Sequence, residues 1–140
     1  MGKKTRDNNV NPKPQTPIKL NSGIESRGVR QGPFIFTSGT TSVSTGSTST
    51  PTILHPSSAF HQALQALSSE IIRALEALGG TNEEVVRVRM FVTRDEDSGE
   101  VGRALREVFG DVGPAATMIL GVRFVSEKLK VEIEADAVVL

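Results

Sequence analysis

No cysteine, tryptophan or tyrosine occurs among the 140 residues, and only two histidines do. The missing thiol excludes disulfides, thiolate nucleophiles, zinc fingers and iron–sulfur clusters. His55 and His61 lie six positions apart with no third ligand nearby, so no metal site is expected. With neither Trp nor Tyr, any stacking on nucleobases would fall to phenylalanine alone. Charge of one sign is also lacking: 16 Lys and Arg against 16 Asp and Glu give a formal net charge of +0. Nucleic-acid binders need surplus cations to displace counterions from phosphate, so a nucleic-acid partner is not expected. No run approaches the roughly 18 apolar residues of a membrane span. The polar start, MGKKTRDNNVNPKP, has no apolar core for a signal peptide and no amphipathic face for a transit peptide. A cytoplasmic protein is the default expectation.

What is present is a soluble, globular balance: 37% hydrophobic and 23% charged residues, at a length that suits one domain. Residues 1–16, with Pro12, Pro14 and several Asn, read as a flexible tail, leaving 17–140 as a single domain. A Ser/Thr/Gly-rich stretch at about 40–56 cannot build a core and reads as a loop, either a tolerated insertion or a segment at a ligand site.

Between these, strand and helix signals alternate. Phe34 to Thr37 is β-prone and flanked by Gly32-Pro33 and Gly39, with Gly28 to Arg30 as its hairpin partner. Phe60, Leu64, Leu67, Ile71, Leu75 and Leu78 form one helical stripe over 57–78, and Gly79-Gly80 reads as its stop rather than a phosphate loop. Val85 to Thr93 reads as a strand with Val86, Val88, Met90 and Val92 on one face and Arg87, Arg89, Phe91 and Thr93 on the other. A second helix is predicted over 98–109, with Val101, Leu105, Val108 and Phe109 inward. A strand follows over 115–124. The last strand starts at Lys130, with Val131, Ile133, Ala135, Ala137 and Val139 opposite Glu132, Glu134 and Asp136.

The predicted order is β-β-α-β-α-β-β, an α+β domain whose helices cover one face of a mixed sheet. The other face mixes ions with Phe91, Thr93, Val138 and Leu140. It is either an ordinary solvated face or a subunit interface with internal salt bridges; so small a core favours the interface.

Three segments then resemble a known family. Gly28 to Gly39 (GVRQGPFIFTSG), Val86 to Thr93 (VRVRMFVT), and Gly113 to Met118 followed by Val131 to Val138 are similar to the first hairpin, central strand and C-terminal signature of the Rid family, also called YjgF or L-PSP. The likeness covers about residues 20–140. It implies a chorismate-mutase-like fold assembled as a homotrimer, with small-molecule clefts between subunits. It also implies cofactor-independent hydrolysis of reactive imines and enamines to a carbonyl and ammonia.

Residue by residue, the resemblance is incomplete. Where the imine deaminases carry an Arg that grips the substrate carboxylate, this chain has Ala116, followed by Thr117. A cleft Tyr falls at Glu25 and an Asn at Gly102. Retained are Glu132, the candidate for holding the attacking water, and the cleft-lining pair Ser38 and Gly39. Losing one charged, two-pronged contact typically costs about 2–3 kcal/mol, roughly a hundredfold in efficiency. A replacement cation would have to come from Arg89 first, or Arg30. The alternative for Arg89 is a cross-strand salt bridge with Glu132 or Glu134. The expected substrate-binding set is therefore Ser38, Gly39, Arg89, Arg30, Ala116 and Thr117, around Glu132 as the catalytic residue. No metal or cofactor is expected, and the partners are a small-molecule ligand and two further copies. A serine-hydrolase triad is not expected, because Thr37-Ser38-Gly39 has no histidine partner fixed by sequence. Two other functions stand beside the hydrolase: a non-catalytic binder or sensor on the same scaffold, favoured by Ala116, Glu25 and Gly102, and a ribonuclease or translation inhibitor. Neutral charge and few aromatics oppose the last.

Overall fold

A computed structural model describes residues 16–21, 26–44 and 50–140. The expected N-terminal tail (all but Thr16) and Glu25 lie outside the described residues.

Strands β1 (Ile18–Asn21), β2 (Ser26–Gln31) and β3 (Phe34–Thr37) run antiparallel in succession. A short pair, β4 (Val43–Ser44) and β5 (Thr52–Ile53), follows within the Ser/Thr-rich stretch. The stretch is thus not loop throughout; β-branched Val43 and Ile53 face each other in register. Helix α1 (Ala59–Leu64) continues through a π-helical stretch, Gln65–Ile71, into α2 (Ile72–Ala77). Then come β6 (Val85–Val92), α3 (Ser98–Phe109), β7 (Ala115–Leu120) and β8 (Val131–Val138). The main sheet has the order β1-β2-β3-β8-β6-β7. Among the described strands only β6 and β7 are parallel, and α3 supplies the crossover that parallel neighbours require.

The helices cover one face. Ile35, Val88, Met90, Val92, Val131, Ile133, Ala135 and Ala137 of the sheet pack against Phe60, Ala63, Leu67, Ile71, Leu75, Val101, Ala104 and Phe109. The predicted stripes are the ones buried, and strict alternation along β8 leaves Glu132, Glu134 and Asp136 on the opposite, outer face.

Four further features differ from the sequence reading. The edge strand β1 is additional, too short and too near the polar tail to signal itself. The first helix is interrupted by its π-helical stretch. The expected inward residue Val86 is 47% exposed, while Val85 is buried. The cause is a bulge: Val85 faces Ala137 and Arg87 faces Asp136, so two steps on β6 match one on β8 and Val86 is the extra residue. Finally, β7 ends at Leu120 rather than Phe124, because Gly121 turns with φ +81°.

That turn begins a segment fastened at both ends. The amide of Gly121 donates to the Val92 carbonyl at 2.9 Å. Farther on, the buried side chain of Gln62 donates to the Lys128 carbonyl (2.8 Å) and accepts from the Lys130 amide (2.8 Å), while also donating to the Leu54 carbonyl (3.1 Å). One glutamine thus ties α1 to the start of β8 and to the segment after β5.

Candidate functional site

The register of β6, β8 and the chain after β3 decides which outer-face charges meet. Arg89 faces Glu134, and Phe91 faces Glu132. The Arg89 guanidinium forks onto two carboxylates: Nε donates to Glu134, and the two terminal nitrogens reach Asp136 at 3.1 and 3.2 Å. Planar two-pronged pairing of this kind is the strong form of an ion pair. It raises the Arg89 pKa, chiefly through the hydrogen bonds to Glu134 and Asp136. Glu132, opposite an apolar ring, makes no hydrogen bond or ion pair with any described residue.

On its other flank Glu132 meets Gly39. The amide of Thr40 donates to the Ile133 carbonyl and the Ile133 amide returns the bond to Thr40, at 2.8 and 2.9 Å, which lays Gly39 against β8. A Cβ on Gly39 would stand 2.6 Å from Glu132 Oε1 and 2.9 Å from its Cδ. The carboxylate occupies the space where a side chain would be. Its pKa is raised, first by burial and then by the neighbouring charge of Glu134. Gly39→Ala should therefore displace the carboxylate while leaving the fold intact, because Glu132 is a flexible chain end and Gly39 has no positive φ. The expected result is an unfolding midpoint within a few degrees of the parent and a loss of any Glu132-dependent turnover on the order of tenfold to a hundredfold, read by calorimetry and by rate on the same sample.

A pocket of about 440 Å³ opens at this point, lined by Gly39, Phe91, Val122, Arg123, Phe124, Glu132 and Glu134. A larger one, about 610 Å³, lies elsewhere, among Thr16, Ile18, Arg30, Gly32, Pro33 and Val139. It holds one titratable side chain, Arg30, which is already bonded to the carbonyls of Gly32 (2.9 Å) and Leu78 (2.8 Å). Of these two, the smaller pocket is the one lined by both an unpaired carboxylate, Glu132, and a guanidinium, Arg123.

The expected site residues separate accordingly. Glu132 and Gly39 are together. Ser38 is not in the pocket: its hydroxyl donates to the Ser26 carbonyl and its amide to Arg27, so it serves the hairpin. Arg89 lies on the right face, in the salt bridge with Glu134 that was its alternative. Arg30 pairs with Ile35, a core residue, and so lies on the helix-covered face, away from Glu132; the expectation that it lines the same cleft does not hold within one chain. Thr117 faces Arg89 across β6 and β7, whereas Ala116 faces the buried Val88. Neither touches the Glu132 pocket of its own chain. Gly102, on α3, has open space where a side chain would stand. Sequence reasoning missed Arg123, Phe124 and Val122, which it ran into a strand. The signal was Gly121, a breaker directly after the apolar run of β7.

A family model described as Endoribonuclease L-PSP matches residues 23–139. The chain belongs to that family. Among solved L-PSP relatives, Rv2704 of Mycobacterium tuberculosis, a member of the YjgF/YER057c/UK114 family, is 33% identical, covers 89% of this chain and 100% of its own, and superposes with a TM-score of 0.72. The YjgF gene product of Escherichia coli is 26% identical over 86% of this chain and 91% of its own, with a TM-score of 0.69. An uncharacterised Streptomyces coelicolor protein is 30% identical over 66 residues, about half the length of each chain. The α+β architecture of the L-PSP family, chorismate-mutase-like, is therefore that of this chain. Among the described residues no helix is long and apolar enough to cross a membrane.

Proposed function

We propose that this L-PSP protein hydrolyses an imine or enamine-type metabolite without a cofactor, in a cleft completed between the subunits of a homotrimer. The observation that carries the reading is Glu132: an unpaired carboxylate with a raised pKa, seated on Gly39 in a pocket walled by Phe91 and Phe124. Such a group is a competent general base, because its basicity is not consumed by a salt bridge.

The steps balance simply. Glu132 takes a proton from water as the oxygen bonds to the iminium carbon, and the C=N pair moves onto nitrogen. The resulting carbinolamine is then protonated on nitrogen by the Glu132 carboxyl. The C–N bond breaks, ammonia leaves and takes up the hydroxyl proton, and a carbonyl remains. The net change is iminium plus water to carbonyl plus ammonium, with Glu132 returned to its starting form.

Support for assembly comes from the outer face, where Phe34 and Phe36 are 48% and 47% exposed and stack at 6.5 Å between ring centroids. Ile119 of β7 is also exposed there. Apolar area of this kind on a small domain is an interaction surface. Sedimentation at micromolar concentration should give three times the chain mass; a monomer would remove the inter-subunit cleft.

A binder without chemistry is the second reading, favoured by Ala116, whose methyl offers no grip for a carboxylate. RNA cleavage, the activity in the family's description, has less support: cations and anions balance over the chain, and the pocket holds two carboxylates and one guanidinium. The deciding experiment generates a panel of imines in situ with an amino-acid oxidase and compares wild type with Glu132→Gln. Acceleration that depends on the carboxylate sustains the hydrolase. A rate equal to the spontaneous one across the panel overturns it in favour of the binder.

A further inference from the structure

Arg123 is the residue that neither the family likeness nor the reading above employs. It stands in the segment between β7 and β8 and lines the same pocket as Glu132. It is exposed and makes no ion pair with any described residue.

The other cations nearby are committed or displaced. Arg89 is forked between Glu134 and Asp136. Arg27 pairs with Glu70 at 2.9 Å, and Lys130 reaches Asp97 at 4.0 Å. Arg30 is held by two carbonyls on the helix side of the sheet. Arg87 has no partner among the described residues, but it faces Asp136, four residues along β8 from Glu132, and does not line the pocket. That distance is roughly 13 Å at strand rise.

Arg123 is also presented on a fixed support. The bond from Gly121 to Val92 and the Gln62 clasp at Lys128 and Lys130 hold both ends of its segment. The rest of the lining is largely apolar: Val122, Phe124 and Phe91. The Glu134 charge on the same wall is offset by Arg89. The pocket therefore carries both a guanidinium and a carboxylate that no described residue pairs, beside an apolar lining.

We propose that Arg123 is the anion anchor of the Glu132 pocket, so that its ligand carries a carboxylate or similar anion at one end, a cationic or iminium centre at the Glu132 end, and an apolar stretch between. The inference rests on the reading of that pocket as the ligand site. The anion belongs beside Arg123 because the unpaired Glu132 carboxylate repels it. The guanidinium is suited to it by geometry, since its planar donors match a carboxylate two-prong to two-prong. The anion is thereby separated from the reacting carbon rather than adjacent to it.

The test uses the full chain and a matched probe pair, 3-phenylpropanoate and 3-phenylpropanamide, titrated calorimetrically at low ionic strength. Wild type should bind the carboxylate at least about tenfold more tightly than the amide, the usual value of a hydrogen bond to a charged group. Arg123→Gln should erase the preference, Arg123→Lys should restore part of it, and Glu132→Gln should keep it. Equal binding of the two probes by wild type, binding of neither, or a preference that survives Arg123→Gln overturns the anchor. The two readings fail separately. An anion preference without Glu132-dependent turnover removes the hydrolase and leaves the anchor; Glu132-dependent turnover without an anion preference removes the anchor alone.

Discussion

Glu132→Gln is expected to lower turnover by about a hundredfold to ten-thousandfold and, at neutral pH, to raise the unfolding temperature rather than lower it. The amide has the shape of the acid, and no hydrogen bond or ion pair is lost, because Glu132 has none among the described residues. What disappears is a charge that burial and Glu134 disfavour. A carboxyl whose pKa is raised by folding binds its proton more tightly in the native state. Its proton-linked stability is fully present below the usual carboxylate value near 4.5 and is lost as pH rises through the raised native value. At pH 7 the wild type has lost it, whereas glutamine has nothing to lose. Calorimetric unfolding of both proteins between pH 4 and 8 should give a flatter profile for the variant, with the two curves separating upward from about pH 4.5. A variant that is less stable at pH 7, or that keeps its turnover, would mean that Glu132 is engaged elsewhere and is not the base.

Gln62→Leu carries the largest expected cost in stability. Its side chain is 0% exposed and its amide serves three backbone groups, the carbonyls of Leu54 and Lys128 and the amide of Lys130. Leucine fills nearly the same volume, so packing is largely kept and the loss is in polar satisfaction. Each buried backbone group left unpaired costs about 1–3 kcal/mol. Three such groups give about 3 kcal/mol or more, a large share of the 5–15 kcal/mol typical of a domain. The midpoint should fall on the order of 10 °C. Because the clasp also fixes the segment bearing Arg123, hydrogen exchange at residues 122–129 should quicken more than the global change accounts for. A fall of only a degree or two would show that water replaces the amide.

The elements that could be read from sequence are those whose pattern is local. The alternation of β8 fixes both its buried residues and its acidic face, and the stripe from Phe60 to Leu78 fixes the face of the first helix. The family likeness named Glu132 and Gly39 as parts of one cleft, but not their contact, which depends on how the chain after β3 lies against β8. The features that were not legible depend on a partner strand. Val86 and Val85 are the same residue type, and only the bulge against Ala137 and Asp136 decides which turns inward. Arg89 had either of two carboxylates in reach until register set it opposite Glu134. Gln62 gives no signal of its role in the sequence, because its three bonds are to segments before and after it in the chain. Arg123 was hidden by running β7 too far.

The Arg89 fork bears on how the protein tolerates change. With Glu134 and Asp136 both charged, the guanidinium has two reasons to stay where it is, and Glu132 remains without a counterion. Remove both acids and a cation is released two residues along the sheet from the catalytic candidate, free to swing across and neutralise it; remove one and only the other still holds it. The site is thus open to silencing from a distance. Arg89 and Asp136, which do not line the pocket, help guard its reactivity, and a variant library drawn only around the pocket would leave them unsampled.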